Sequence, residues 1–190
     1  MSATESGTIS LPFRLVPFPT EAVPAGLPAD LELNGRLERH TGVLRVTYRL
    51  SGPLQALRIP APAARPRRCD DLWQGTCFEL FVAAERAEPY REFNLSPSGD
   101  WNVYRLDGYR RGLRPDPAWQ ALGQRREDAP GKLTLTLETP LPADLAAAPA
   151  LEAAVTAVLQ SSSGLCSYWA LSHPGPEADF HRRDGFLLRL

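Results

Sequence analysis

Apolar residues recur at every second position in long stretches of this chain, a period that a β-strand satisfies and a helix does not. Leu31, Leu33 and Leu37 alternate with Glu32, Asn34, Arg36 and Glu38, and Leu44, Val46, Tyr48 and Leu50 resume the rhythm after His40, Thr41 and Gly42. The two runs read as a half-buried antiparallel hairpin closed by that turn. Leu133, Leu135 and Leu137, set against Lys132, Thr134, Thr136 and Glu138, give another strand with one wet face. The run ALEAAVTAVLQ over 150–160 fits either period, with Leu151, Val155, Val158 and Leu159 on a helical stripe or Leu151, Ala153, Val155, Ala157 and Leu159 on a strand face. A strand is favoured because SSSG follows and CSYWAL supplies a hairpin partner. With 19 prolines breaking the chain, short elements are expected throughout. Together these signals predict an all-β fold, an antiparallel two-sheet β-sandwich.

At 190 residues the chain has the size of one domain. Residues 1–28, rich in Pro, Ser, Thr and Gly around LPFRLVPF, read as a leader that docks in part on a body of residues 29–190. The Arg- and Pro-rich stretch Pro60–Arg68 and the arm Tyr109–Pro117 read as surface connections with solvated charges. The balance of 21 basic against 22 acidic side chains offers no electrostatic footprint for nucleic acid or an anionic membrane. No run approaches the roughly 20 apolar residues of a membrane helix, and MSATESGTIS lacks the basic and apolar regions of a signal peptide. Cys69, Cys77 and Cys166 are an odd, scattered set that suits reduced thiols, so a cytoplasmic location is expected.

The segment Trp73–Tyr104 concentrates the chemistry. LWQGTCFELF, YREFNLSPSGDW and NVY mix Phe78, Phe81, Phe93, Trp101 and Tyr104 with carboxylates and asparagines, a mixture that suits a sugar or another polar ring-bearing ligand. If strands 77–82 and 90–95 pair through AAERAEP with Phe81 opposite Tyr90, then Glu79 faces Glu92 and Cys77 faces Asn94. Directly opposed carboxylates, with Cβ atoms about 4.5–5.5 Å apart, are unfavourable unless a cation or protonation relieves them. Arginines or hydroxyls neutralising the pair, a register slip, hydrogen bonding to a ligand, or the acid/base and nucleophile pair of a retaining glycosidase all answer that need. Asp179 and His181 point the same way on an extended segment. They either orient an imidazole, bond a polar ligand, or join His173 or Glu79 around a metal. Trp73, Trp101 and Trp169 read as core residues or as stacking platforms for a sugar face, with Asn94, Asn102 or Asp179 bonding its hydroxyls. SPSG at 96–99 reads as a turn, and Cys77 as a buried, inert thiol.

LWQGTCFELF at 72–81, EFNLSPSGDWNVY at 92–104, YWALSHP at 168–174 and DFH at 179–181 together resemble the bacterial DOMON-like family, over about 110 residues and in the same order. That family is similar to family 9 carbohydrate-binding modules and to haem- and sugar-binding DOMON domains. The resemblance implies a sandwich of about ten strands with short helical or irregular connections and a ligand site at one face or rim. It implies no catalytic activity, and with the residues above it leads to the expectation of a protein that holds a saccharide or sugar-containing metabolite non-covalently, with Trp73, Trp101 and Trp169 as candidate stacking surfaces and Glu79, Glu92, Asn94, Asn102, Asp179 and His181 as candidate hydrogen-bonding groups. No cofactor or metal is expected. Haem-binding relatives use a methionine and a histidine, and Met1 is the only methionine, so haem would need His173 or His181 with another sixth ligand. A haem or hydrophobic-cofactor binder, a glycosidase using the Glu pair, and a protein-interaction module with a protein partner remain the competing classes.

Overall fold

A computed structural model describes residues 7–19 and 27–190. Its strands are β1 (Ile9–Pro17), β2 (Glu32–His40), β3 (Val43–Ser51), β4 (Cys77–Ala84), β5 (Tyr90–Leu95), β6 (Trp101–Leu106), β7 (Arg114–Pro115), β8 (Gly123–Ala129), β9 (Lys132–Pro140), β10 (Leu151–Gln160), β11 (Cys166–Ala170) and β12 (Leu188–Arg189). One helical turn, α1 (Ala143–Ala146), and short 3-10 turns complete the described elements. The hairpin expected from the alternating leucines forms as β2 and β3, and its Thr41–Gly42 turn takes positive φ at both residues (40° and 77°), as a type I′ hairpin turn requires. Residues 151–160 are a strand, β10, with β11 as its hairpin partner.

Hydrogen bonds join the strands in the order β7-β6-β5-β4-β10-β11-β1-β2-β3-β9-β8, with β12 beside β10. Every pairing between these strands is antiparallel. Two separate sheets were expected, but β1 connects the halves. Its residues Ile9–Leu15 pair with β2, and Val16 and Pro17 then pair with Ala170 and Trp169 of β11. The result is one curled sheet shaped like a half-barrel. The LPFRLVPF segment, expected to dock only in part, is thus largely an integral strand, while residues 1–6 and 20–26 of the expected leader lie outside the described residues.

The halves of the curl face each other across the main core. Leu33, Leu37, Val46, Tyr48, Leu135 and Leu137 contribute from one half, and Phe78, Leu80, Phe93, Leu95, Val155 and Leu159 from the other. The alternation of β2, β3 and β9 follows directly, since their second face meets water. β4, β5 and β10 lack that wet face and are buried on both sides along nearly their whole length. A second, smaller apolar cluster of Phe81, Tyr90, Tyr104, Leu106, Ala154 and Phe186 lies on their outer face, beneath the C-terminal segment. The side chains that share this outer face with it form the site.

Candidate functional site

Strand pairing sets polar residues side by side on the outer face. One row runs Asn102, Asn94, Glu79 and Thr156, and the next runs Tyr104, Glu92, Phe81 and Ala154. Glu79 therefore lies opposite Asn94 and Phe81 opposite Glu92, two residues away from the expected register. The turn decides this. The Ala87 N–H bonds the Ala84 carbonyl at 3.0 Å, and Arg86 takes φ 60°, which closes the hairpin one step later on each strand. A two-residue shift preserves the face, so Glu79 and Glu92 are diagonal neighbours in one plane rather than an opposed pair.

Both carboxyl groups are buried and sparsely bonded. Thr156 Oγ1 donates to Glu79 Oε2 at 3.3 Å, and Asn94 Nδ2 donates to Glu92 Oε1 at 2.8 Å. Glu92 Oε2 is buried without a hydrogen-bond partner. Burial, and then repulsion from Glu92, holds the Glu79 carboxyl well above the usual glutamate range. Burial also raises Glu92, against the opposing effects of the Asn94 bond and of Arg110.

His181 approaches from the C-terminal segment, with Nε2 4.0 Å from Glu92 Oε2. Burial, aided by the nearby Arg110 charge, pushes its pKa down to about 4, so the ring is neutral at ordinary pH. The Tyr90 hydroxyl accepts the Arg110 N–H at 3.4 Å and shares a hydrogen bond with His181 Nδ1 at 2.8 Å.

Asp179 does not orient this imidazole through its side chain. Its Oδ1 accepts the backbone N–H of His181 at 3.1 Å and the Arg110 guanidinium at 2.9 Å, while Oδ2 accepts the Tyr109 hydroxyl at 2.5 Å. Burial works to raise the Asp179 carboxyl, but these hydrogen bonds outweigh it and leave it below the usual range. Asp179 thus fastens the C-terminal segment to the 109–110 loop.

These elements enclose an open cavity of about 390 Å³, lined on its floor by Glu79, Glu92, Phe81 and Tyr104 and on its walls by His181, Arg110, Trp73, Tyr168 and Phe180. Trp73 is 48% exposed and Tyr168 39% exposed, so both present aromatic surface. Phe180 stands edge-on to Tyr168 at 6.0 Å.

Of the residues singled out in the sequence, Trp73, Glu79, Glu92 and His181 meet here. Asn94 supports Glu92 from two residues further along the same strand, β5. Asn102 is buried away from the cavity, where it accepts from Arg68 at 2.9 Å and donates to Asp70 at 2.9 Å, which anchors the segment carrying Trp73. Trp101 and Trp169 need correction as stacking platforms, because both are core residues. The Arg68 guanidinium covers Trp101 at 4.5 Å, and Trp169 Nε1 donates to Ser167 Oγ at 2.9 Å. Strand parity could have found one missed residue, since an inward Trp169 turns Tyr168 outward. Arg110 and Phe180 carry no such local signal.

His173 is not among the residues lining this cavity; its Nε2 lies 2.9 Å from the Val16 carbonyl and its ring packs against Phe18. Among the described residues, no group of three or more His, Cys, Asp and Glu side chains is arranged to hold a metal ion. SPSG forms the expected turn, with Ser96 N–H bonding Asp100 O at 2.9 Å and Gly99 at φ 99°. Cys77 is fully buried, and burial raises its thiol well above the usual value, as suits an inert side chain.

No family model and no curated protein matches the chain. Among solved structures, a candidate carbohydrate-binding protein from Bacteroides uniformis is similar with a TM-score of 0.64 at 13% identity, over 92% of this chain and 84% of that one. A family 9 carbohydrate-binding module from Caldicellulosiruptor kristjanssonii in complex with cellotriose gives a TM-score of 0.46 at 15% identity, over 76% of this chain and 67% of that one. A family 9 carbohydrate-binding module from the same organism in complex with glucose gives 0.46 at 13% identity, over 78% of this chain and 71% of that one. The likeness to the Bacteroides protein is one of fold, the curled antiparallel sheet that brings the two glutamates to a single face.

Proposed function

We propose that the outer-face cavity binds a saccharide non-covalently. The observation that carries the reading is Glu92 Oε2, a buried acceptor without a partner beside an open cavity whose rim presents exposed aromatic rings. A buried acceptor left unmet is costly, and a hydroxyl donor from a ligand removes that cost. Sugars combine such hydroxyls with an apolar ring face, which the rings of Trp73 and Tyr168 are placed to cover. The cavity volume of about 390 Å³ lies within the range of small-molecule sites. The description of the Bacteroides protein supports the same reading, as does the sequence resemblance to DOMON-like proteins. The free state of Cys69, Cys77 and Cys166 supports placing the protein in a compartment that keeps thiols reduced.

Titration calorimetry against a panel of mono- and oligosaccharides tests the proposal. Trp73→Ala, at a half-exposed rim position, is expected to weaken binding about tenfold with little change in melting temperature, in line with the 1.4 kcal/mol that a tenfold change represents. Unchanged affinity would remove Trp73 from the site, and no saccharide binding at all would end the proposal. Two buried carboxyls with raised pKa values also form the pattern of a glycosidase acid/base pair. Turnover of a chromogenic glycoside that is lost in Glu79→Gln would replace binding with hydrolysis.

A further inference from the structure

The charges around the cavity do not balance. Asp71, Glu79 and Glu92 line it, whereas Arg110 is the only cationic side chain among the described lining residues. Arg110 is already committed, since its guanidinium bonds Asp179 at 2.9 Å. His181 carries no charge at ordinary pH and presents its Nε2 side to Glu92 from 4.0 Å. Glu79 has Thr156 and Glu92 has Asn94, both neutral donors. The Glu92 side chain is only 7% exposed, and its Oε2 has no partner. Above it stand Trp73, Tyr168 and Phe180, whose ring faces attract cations. A neutral hydroxyl meets the hydrogen-bonding need of Glu92 but leaves the repulsion between the glutamates in place. A positive group meets both, through a charge-assisted hydrogen bond in a weakly solvated site.

We propose that the preferred saccharide carries a free, protonated amine, as a hexosamine does, with its ammonium group against the cavity-lining Glu92 side chain and within reach of the aromatic wall. This rests on the saccharide reading of the cavity and adds the charge of the ligand to it.

The test is titration calorimetry of the full chain near neutral pH with D-glucosamine, D-galactosamine and D-mannosamine, their neutral parent hexoses, N-acetyl-D-glucosamine and cyclohexylamine. At least one hexosamine is expected to bind about tenfold more tightly than its parent hexose, with the advantage lost on N-acetylation and reduced by added salt. Glu92→Gln keeps the acceptor for Asn94 and is expected to bring the two affinities within about twofold, with a cooperative melt confirming that the variant is folded. Neutral hexoses binding as tightly as the hexosamines would overturn the inference and leave the saccharide reading intact. Binding of cyclohexylamine with every sugar silent would overturn both, since the site would then take an organic cation of another kind. Silence of the whole panel would also overturn both. A full amine preference retained by folded Glu92→Gln would refute Glu92 as the seat of the ammonium.

Discussion

Replacing Glu92 by Gln should make this protein more stable, and increasingly so as pH rises. Glu92 Oε1 has one donor, Oε2 has none, and the neighbouring Glu79 repels the charge. Burial keeps both carboxyls protonated to higher pH in the folded chain than in the unfolded one, where glutamate titrates near about 4.3. The sign follows from proton counting. Below the unfolded value both states are protonated and the glutamates add no slope. Above it the unfolded chain releases its protons first, so folding is progressively disfavoured until pH passes the folded-state values. An unsatisfied buried charged group costs about 1–3 kcal/mol or more. For a domain of this size that corresponds to a gain of about 2–12 °C in Tm for Glu92→Gln at about pH 8, shrinking toward zero at about pH 4. His181 adds the opposite slope, because its depressed folded-state pKa of about 4 costs stability as pH falls below about 6.5. Because His181 lies 4.0 Å from Glu92 the two contributions are coupled, so the gain is read at about pH 8, above the range of the histidine slope. Differential scanning fluorimetry of wild type and variant across this pH range reads the difference directly. A gain independent of pH, or a variant less stable than wild type at about pH 8, would refute the account of Glu92 as an uncompensated buried carboxyl.

Other perturbations probe the frame that holds the site. Trp101 is 4% exposed beneath Arg68, so Trp101→Ala is expected to cost about 3–5 kcal/mol in urea unfolding; a cost below about 1 kcal/mol would mean that the ring is not packed as described. Arg91 and Asp116 form a buried ion pair at 3.0 Å, with Asp144 adding a contact at 2.7 Å from a half-exposed position. Arg91→Met is expected to cost about 3–5 kcal/mol because it strands the buried Asp116 carboxylate, Asp116→Leu to cost less because Asp144 still pairs with Arg91, and the double variant to cost less than the sum. Additive costs in that cycle would show that the pair does not act as a unit.

Where one face of a strand meets water, the sequence was legible. Leu31 to Leu50 and Leu133 to Leu137 announce β2, β3 and β9 because burial on one side imposes a period of two. Glu79 and Glu92 were readable as residues of a common face for the same reason, since parity survives a register error of two. Their true pairing was not readable, because the Ala84–Pro89 turn fixes the register and no local pattern specified its closure.

The tryptophans mark the limit of composition. Trp73, Trp101 and Trp169 are the same residue type, yet Trp73 is exposed at the rim while the others lie in the core. A large aromatic ring satisfies either environment, and strand parity together with the covering segment chooses between them. By itself, then, the sequence determined that the chain is built from antiparallel strands and that its carboxylates, asparagines and aromatics gather near β4, β5 and β6. Only the tertiary structure decided that β1 joins the halves into one curled sheet and that the 109–110 loop and the C-terminal segment close over the outer face. Those contacts link residues as distant as Tyr90 and His181. They bury Glu92 with its Oε2 left without a hydrogen-bond partner, a consequence of long-range packing that no local pattern encodes.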